Sequence, residues 1–167
     1  FIVYVDQKER TKKGYRTAYK AALAKFNAIH RMTKKLNPKQ IALATSPEEV
    51  EEIWRSGKLV AMIGVENAYP LGTDLKRVKE FYDRGARYIS ITHNGHSQFG
   101  DSNFGEGGEP DELYGGLSPL GKKLVAELNR VGIMVDISHA SKKTSLQTMA
   151  LSKAPVIASH SSISELY

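Results

Sequence analysis

The chain has 167 residues, 24 Lys and Arg against 18 Asp and Glu (a formal charge of +6), and no cysteine. That length suits one domain able to bury a substantial core, and without cysteine neither a disulfide framework nor a thiolate metal site can form, so any metal must be held by His, Asp and Glu. The basic excess sits mostly in the first third, on what reads as the outward face of a helix with no groove-reading motif, so no nucleic-acid partner is expected; the longest apolar run, residues 59–65, is far too short to span a bilayer.

Residues 1–5, FIVYV, read as a β-branched strand. Over 14–36 the positions Tyr15, Tyr19, Ala22, Leu23, Phe26 and His30 recur at helical spacing, and Asn37-Pro38 ends that helix. His30 falls on this helix, remote from any strand end, and is read as having no catalytic role. A short extended piece at 41–44 precedes a helix with Ser46 as N-cap, Pro47 in the first turn and Glu49 completing a capping box. That helix carries Val50, Ile53 and Trp54 and stops at Gly57. Residues 59–66, LVAMIGVE, form the next strand, and a helix from Asp74 to Gly85 carries Leu75, Val78, Phe81 and Tyr82. A strand over 88–93 follows. The segment 94–116, rich in Gly, Asn, Ser and acids, reads as a functional loop above a strand end. Ser118-Pro119 opens a helix that Gly132 closes. A strand over 133–139, a helix around 141–151, a strand over 156–160 and a helix start complete the chain.

Repeated βα units with short apolar runs imply buried parallel strands, wound right-handed. The expected fold is α/β, of the barrel or open-sheet kind. No G-x-G-x-x-G follows a strand and no Walker A pattern appears, so a nucleotide fold lacks its phosphate-binding loop.

Four of the apolar runs end in a His or Glu: 59–65 in Glu66, 88–91 in His93, 133–135 in His139 and 156–158 in His160. The C-terminal end of parallel strands is where such folds place chemistry. Zinc accepts neutral imidazole nitrogens and carboxylate oxygens and, in catalytic sites, keeps a position open. Glu66, with two oxygens, is the natural bridge between two cations, and His139 and His160 are the terminal ligands of one of them. Two metals about 3.5–4 Å apart can hold a hydroxide between them. His93 reads either as a ligand or as a hydrogen-bond donor to a developing oxyanion.

The chain resembles the membrane (renal) dipeptidases, peptidase family M19, over essentially its whole length. The motifs are GVEN, FYDRGARYISITHN, Asp101-Ser102, GLSPLGKKLVAELNRVGIMVDISHAS and APVIASHSS. The resemblance implies a (β/α)8 TIM-like barrel of the metal-dependent hydrolase type, and a two-zinc site that hydrolyses dipeptides through a metal-bridging hydroxide. It places Glu66 as the bridging carboxylate, His139 and His160 on one zinc, and His93 against the substrate carbonyl or tetrahedral intermediate.

The chain departs from the family pattern where Asn67, followed by Ala68, replaces the glycine after the bridging glutamate. The His-x-Asp pair of the first strand, which in the family serves the other zinc, and the later Arg and Asp are not in the sequence. Residues 1–167 are therefore expected to be part of a single metallo-dipeptidase barrel domain. It would have about five main strands, lack the first strand and the C-terminal strands, and be inactive alone. Val60, Met62, Ile89, Met134 and Ile157 would face the barrel interior without partners. A dipeptide is the expected substrate, and a homodimer is open to the complete protein. Two competing readings are a barrel hydrolase of the amidohydrolase or phosphotriesterase kind, which usually bridges its metals with a modified lysine, and a non-catalytic barrel relative.

Overall fold

The computed structural model describes residues 1–162; the helix start expected at the end of the chain lies outside them. The order of elements is β1 (Ile2–Tyr4), α1 (Lys12–Arg31), β2 (Ile41–Leu43), α2 (Pro47–Arg55), β3 (Leu59–Ala61), β4 (Ile63–Glu66), α3 (Lys76–Asp83), β5 (Ala86–Ser90), α4 (Pro119–Val131), β6 (Met134–Asp136) and α5 (Lys142–Leu151). Hydroxyl N-caps open four of the helices. Thr11, Ser46, Ser118 and Ser141 accept from the amides of Gly14, Glu49, Gly121 and Thr144, satisfying donors that a helix start leaves free. The capping box at Ser46 is displaced by one residue, because the Glu49 carboxylate accepts from the Thr45 amide (2.6 Å) and hydroxyl (2.8 Å). Beyond Arg31 the ladder of α1 widens into a π-turn, Met32–Leu36, where Asn37 N–H reaches Met32 O at 2.9 Å. His30 Nε2 donates to the Arg84 carbonyl at 2.8 Å, a structural role.

Four strands form a parallel sheet in the order β1-β4-β5-β6, and β2 pairs with β3 separately. The single strand expected over 59–66 is thus two, because its two halves serve different partners. β3 lies against β2, while past the exposed Met62 the chain's first strand takes over: the Phe1 ammonium donates to Met62 O at 2.6 Å, and Gly64 N–H to Phe1 O at 3.0 Å. The strand expected over 156–160 contracts to one parallel bridge, Ile157 to Asp136.

The register sorts side chains into two faces, since alternate residues of a strand point to opposite sides. Val3, Val65, Ile89 and Val135 form a fully buried row packed with Ala22 and Phe26 of α1, Val78 and Phe81 of α3, and Leu124 and Leu128 of α4. Ile89 therefore belongs to the helix side, against the expectation that it faces inward. The opposite row is Ile2, Gly64, Tyr88 and Met134, where Ile2 is 47% and Met134 40% exposed. Val60 and Ile157 are half-buried. On α2, Trp54 is 71% exposed, so the apolar stripe read there covers no core.

Gly64 is required for space: a Cβ there would run into the Tyr88 ring at Cζ. Overpacking of this kind costs about 1–3 kcal/mol. Gly64→Ala should lower the urea midpoint accordingly, and should cost markedly less in a Tyr88→Ala background, where the ring is gone. Equal costs in both backgrounds would show that Tyr88 is not what the added methyl meets.

Candidate metal centre

At the C-terminal ends of the parallel strands, three histidine side chains converge on one carboxylate oxygen. Glu66 is the last residue of β4, and its Oε1 lies 3.2 Å from His139 Nε2, 3.2 Å from His160 Nε2 and 3.5 Å from His93 Nε2. His139 Nε2 and His160 Nε2 are 2.8 Å apart. The rings run in a line, with centroids 4.6 Å apart for Tyr4–His93, 4.3 Å for His93–His139 and 4.8 Å for His139–His160. All four residues singled out in the sequence are thus brought together. The three histidines, however, sit in the loops past the strands, each on the third residue after the last paired one: Ser90, Asp136 and Ile157.

Two ligand groupings overlap here. By mutual distance, Glu66, His93 and His139 offer atoms all within 4.8 Å of one another. The motif-based reading instead groups Glu66, His139 and His160, the last being half-exposed while the other three side chains are about one-fifth exposed. Glu66 and His139 belong to both. Burial pushes the His139 pKa below its ordinary 6.5, with His93 and His160 adding to the shift and Glu66 opposing it. Three imidazole nitrogens facing a carboxylate are a donor set suited to a divalent cation.

The backbone holds these groups in a special geometry. Asn67, directly after Glu66, has φ +83°, in the left-handed region that glycine adopts freely and Asn tolerates better than most residues. That explains why Asn can stand where the family pattern has glycine. Fully buried, Asn67 donates its backbone N–H to Ser90 Oγ at 2.8 Å and accepts from Tyr69 N–H on its side-chain Oδ1 at 3.0 Å, while Ser90 Oγ donates to Thr92 O at 2.9 Å. The turns carrying Glu66 and His93 are thereby tied together. His139 also has positive φ, +63°. Its carbonyl accepts from Asn103 N–H at 2.8 Å, and Ser141 N–H donates to Asp101 O at 3.0 Å, so the long loop over 94–116 docks directly on the His139 turn.

That loop is organised by two buried side chains. The Asp101 carboxylate accepts from the amides of Leu113, Tyr114 and Gly116 at 2.8–3.1 Å. His96 accepts from Ser102 N–H on Nδ1 and donates from Nε2 to Pro110 O at 2.7 Å. His96 therefore anchors the loop and does not reach the cluster.

Several site residues escaped the sequence reading. Tyr4, paired with Glu66 in the ladder, packs its ring at a tilt against His93, and burial and the neighbouring Asp6 push its phenol up to about 12. Asp136 is fully buried beneath the two histidine turns and accepts from Ser138 N–H at 2.9 Å and Ser159 N–H at 3.2 Å. Both Asp136 and Ser159 lie inside motifs already quoted, DISHAS and ASHSS. A polar residue at or past a strand end, up to three positions before one of the clustered histidines, is the signal that could have found them.

The family model for the membrane dipeptidases, peptidase family M19, matches residues 1–167. The chain belongs to the M19 family. It is 37% identical over 143 residues to Dipeptidase verJ of Clonostachys rogersoniana, covering 86% of this chain and 36% of that one. Among solved structures, the probable dipeptidase PvdM from Pseudomonas aeruginosa superposes with a TM-score of 0.86 at 34% identity, over 93% of this chain and 39% of that one. A metallo peptidase from Rhodobacter sphaeroides, solved with a phosphinate mimic of the dipeptide L-Ala-D-Ala, gives 0.81 at 26% identity, over 96% and 51%. The M19 chain described here spans about a third of the length of the curated relatives it matches. Its parallel sheet is a portion of the M19 TIM-type barrel, and M19 membership implies a metal.

Two tests follow from this geometry. Asn67→Gly keeps the left-handed turn and loses the side-chain acceptor for Tyr69 N–H, at about 1–3 kcal/mol, whereas Asn67→Val loses that acceptor and also places a β-branched residue at positive φ, and should cost about 1–2 kcal/mol more. Thermal melts of the two variants decide this, and equal melting temperatures would remove the backbone argument. The second test concerns pH. With the His139 pKa lowered in the folded state, the unfolded chain takes up the proton first. Its contribution to stability is then complete above about pH 6.5 and is lost as pH falls through the folded pKa. Metal-free protein should lose stability on acidification below pH 6.5, and His139→Gln should flatten that slope in denaturant melts.

Proposed function

We propose that the complete protein is a zinc-dependent dipeptidase, with residues 1–167 forming part of one barrel domain that carries half of a two-zinc site. The observation that carries this is the convergence of three imidazole Nε2 atoms on Glu66 Oε1 in an M19 chain. In this reading Glu66 would serve both metal positions, and His139 and His160 would serve one of them. When bound, zinc supplies Lewis acidity at the scissile carbonyl and activates a water as nucleophile.

The chain's own residues do the rest. Glu66 and His139 are held by turns in left-handed geometry, which keeps the donor atoms in place before any ligand arrives. His93 lies between the Tyr4 and His139 rings, with Nε2 slightly farther from Glu66 than the other two histidines. From there it donates a hydrogen bond to the carbonyl oxygen as negative charge develops on it. Tyr4 supports the His93 ring from the side away from His139. An open groove of ≈ 650 Å³ runs beside the half-exposed His160, lined by His139, Asn103, Lys142 and Ser145 among others. The ligand of the Rhodobacter sphaeroides relative supports a dipeptide as the substrate class.

The roles of Glu66 and His93 are separable in the full-length protein. Glu66→Gln should lose zinc. His93→Ala should keep roughly the parent's zinc content while losing on the order of 10²–10³ in turnover of L,L- or L,D-dipeptides, the usual cost of one oxyanion donor. Metal analysis beside activity decides between them. Zinc loss in His93→Ala with retention in Glu66→Gln would reverse the two roles. Hydrolysis of phosphoesters or lactones with no dipeptide turned over would move the protein to another class of barrel hydrolase.

A further inference from the structure

We propose that Asp136 and Ser159 are positioning residues that set the proton on His160, and thereby which nitrogen His160 presents to the metal. The inference rests on the reading of His160 as a ligand, and uses hydrogen bonds that the reading itself does not require.

The direction of each bond follows from counting protons. Asp136 Oδ1 accepts two backbone amides, from Ser138 (2.9 Å) and Ser159 (3.2 Å), so that oxygen position is held as an acceptor. Asp136 Oδ2 accepts the Ser159 hydroxyl at 2.6 Å. A serine hydroxyl has one proton. With that proton committed to Asp136, Ser159 Oγ faces His160 Nδ1, 2.8 Å away, with a lone pair. Nδ1 must then carry the ring hydrogen, and Nε2 turns its lone pair toward Glu66 and His139. Ser138 Oγ, which accepts from the His160 amide at 3.2 Å, lies 3.4 Å from Ser159 Oγ and can give it a second donor. The Asp136–Ser159 pair thus spans the two turns that carry His139 and His160. It works as the outer partner that fixes tautomer and ring orientation in metal sites.

This arrangement makes an unusual demand of an isosteric change. In Asp136→Asn the two backbone amides still require an acceptor at the Oδ1 position, so the NH₂ must stand at Oδ2. It then donates to Ser159 Oγ, Ser159 turns its proton toward His160, and the tautomer with hydrogen on Nε2 is favoured, which cannot ligate. A role in packing alone would leave Asp136→Asn the mildest of the changes.

The test uses the zinc-loaded full-length protein and its Ser159→Ala, Ser159→Thr, Asp136→Asn and His160→Gln variants. Zinc affinity is measured by chelator competition, and the ring N–H signals are followed in protein carrying ¹⁵N-labelled histidine. A hydrogen-bonded Nδ1–H of His160 is expected in the parent and in Ser159→Thr. Zinc affinity should fall about 10–100-fold in Ser159→Ala, at least as far in Asp136→Asn, and stay near the parent's in Ser159→Thr. Parent-like affinity in Asp136→Asn, or a His160 ring protonated on Nε2 in the parent, would overturn the proposal. His160→Gln separates the two levels. If it binds zinc as the parent does, the ligand reading itself fails; if it loses zinc while Ser159→Ala and Asp136→Asn do not, only the positioning role fails.

Discussion

Everything in this molecule depends on the register of one parallel ladder. Four strands pair so that Val3, Val65, Ile89 and Val135 form a row on one face, buried against α1, α3 and α4. Because side chains alternate, the residues one position later in each strand must face the other way. Those residues are Tyr4, Glu66, Ser90 and Asp136. The hydrophobic row locks the register, and a one-residue slip would exchange the two sets. The burial of four apolar side chains on the helix side is therefore what places a carboxylate, a phenol and two hydrogen-bonding groups together on the other.

From that row outward the site is built in layers. Glu66 reaches the centre directly from its strand, while the three histidines reach it from loops three residues further on. Loops need support that strands do not, and each turn has a tether. Ser90 binds the Asn67 turn and the Thr92 carbonyl, Asp136 binds the Ser138 and Ser159 amides, and Asn103 binds the His139 carbonyl. The left-handed backbone at Asn67 and His139 is unfavourable in isolation and persists because these bonds over-determine it. The long loop over 94–116 contributes through the same logic. Its buried Asp101 gathers three amides of its own loop, and the Asp101 backbone carbonyl accepts from Ser141 N–H and Thr144 Oγ1, seating the start of α5 behind His139.

Much of this was legible from the residue order. The placement of Glu66 at a strand end, and of His93, His139 and His160 just past one, follows from short apolar runs bounded by turn residues, and the helix starts at Ser46 and Ser118 follow from capping chemistry. These are local signals, set within a few residues of where they act. At position 67 asparagine stands where the family pattern has glycine. It is consistent with the same backbone requirement, because both residues accept positive φ.

Other features were settled only by contacts between distant segments. Whether residues 59–66 make one strand or two depends on where β2 stops and β1 begins, which no periodicity within the run encodes. That Ile89 faces the helices while its neighbour Tyr88 faces inward depends on a bulge in the pairing of β4 with β5 between Ile63 and Gly64. The exposure of Trp54 reflects what packs on α2, not its apolar pattern. The partnership of Asp136 with Ser159 and His160 joins residues more than twenty positions apart through single hydrogen bonds. Local chemistry and hydrophobic alternation thus determined which residues stand at strand ends and which chemistry they can do. Only the tertiary register decided which of them meet and through which atoms, because long-range pairing is fixed by the joint burial of surfaces that no single segment contains.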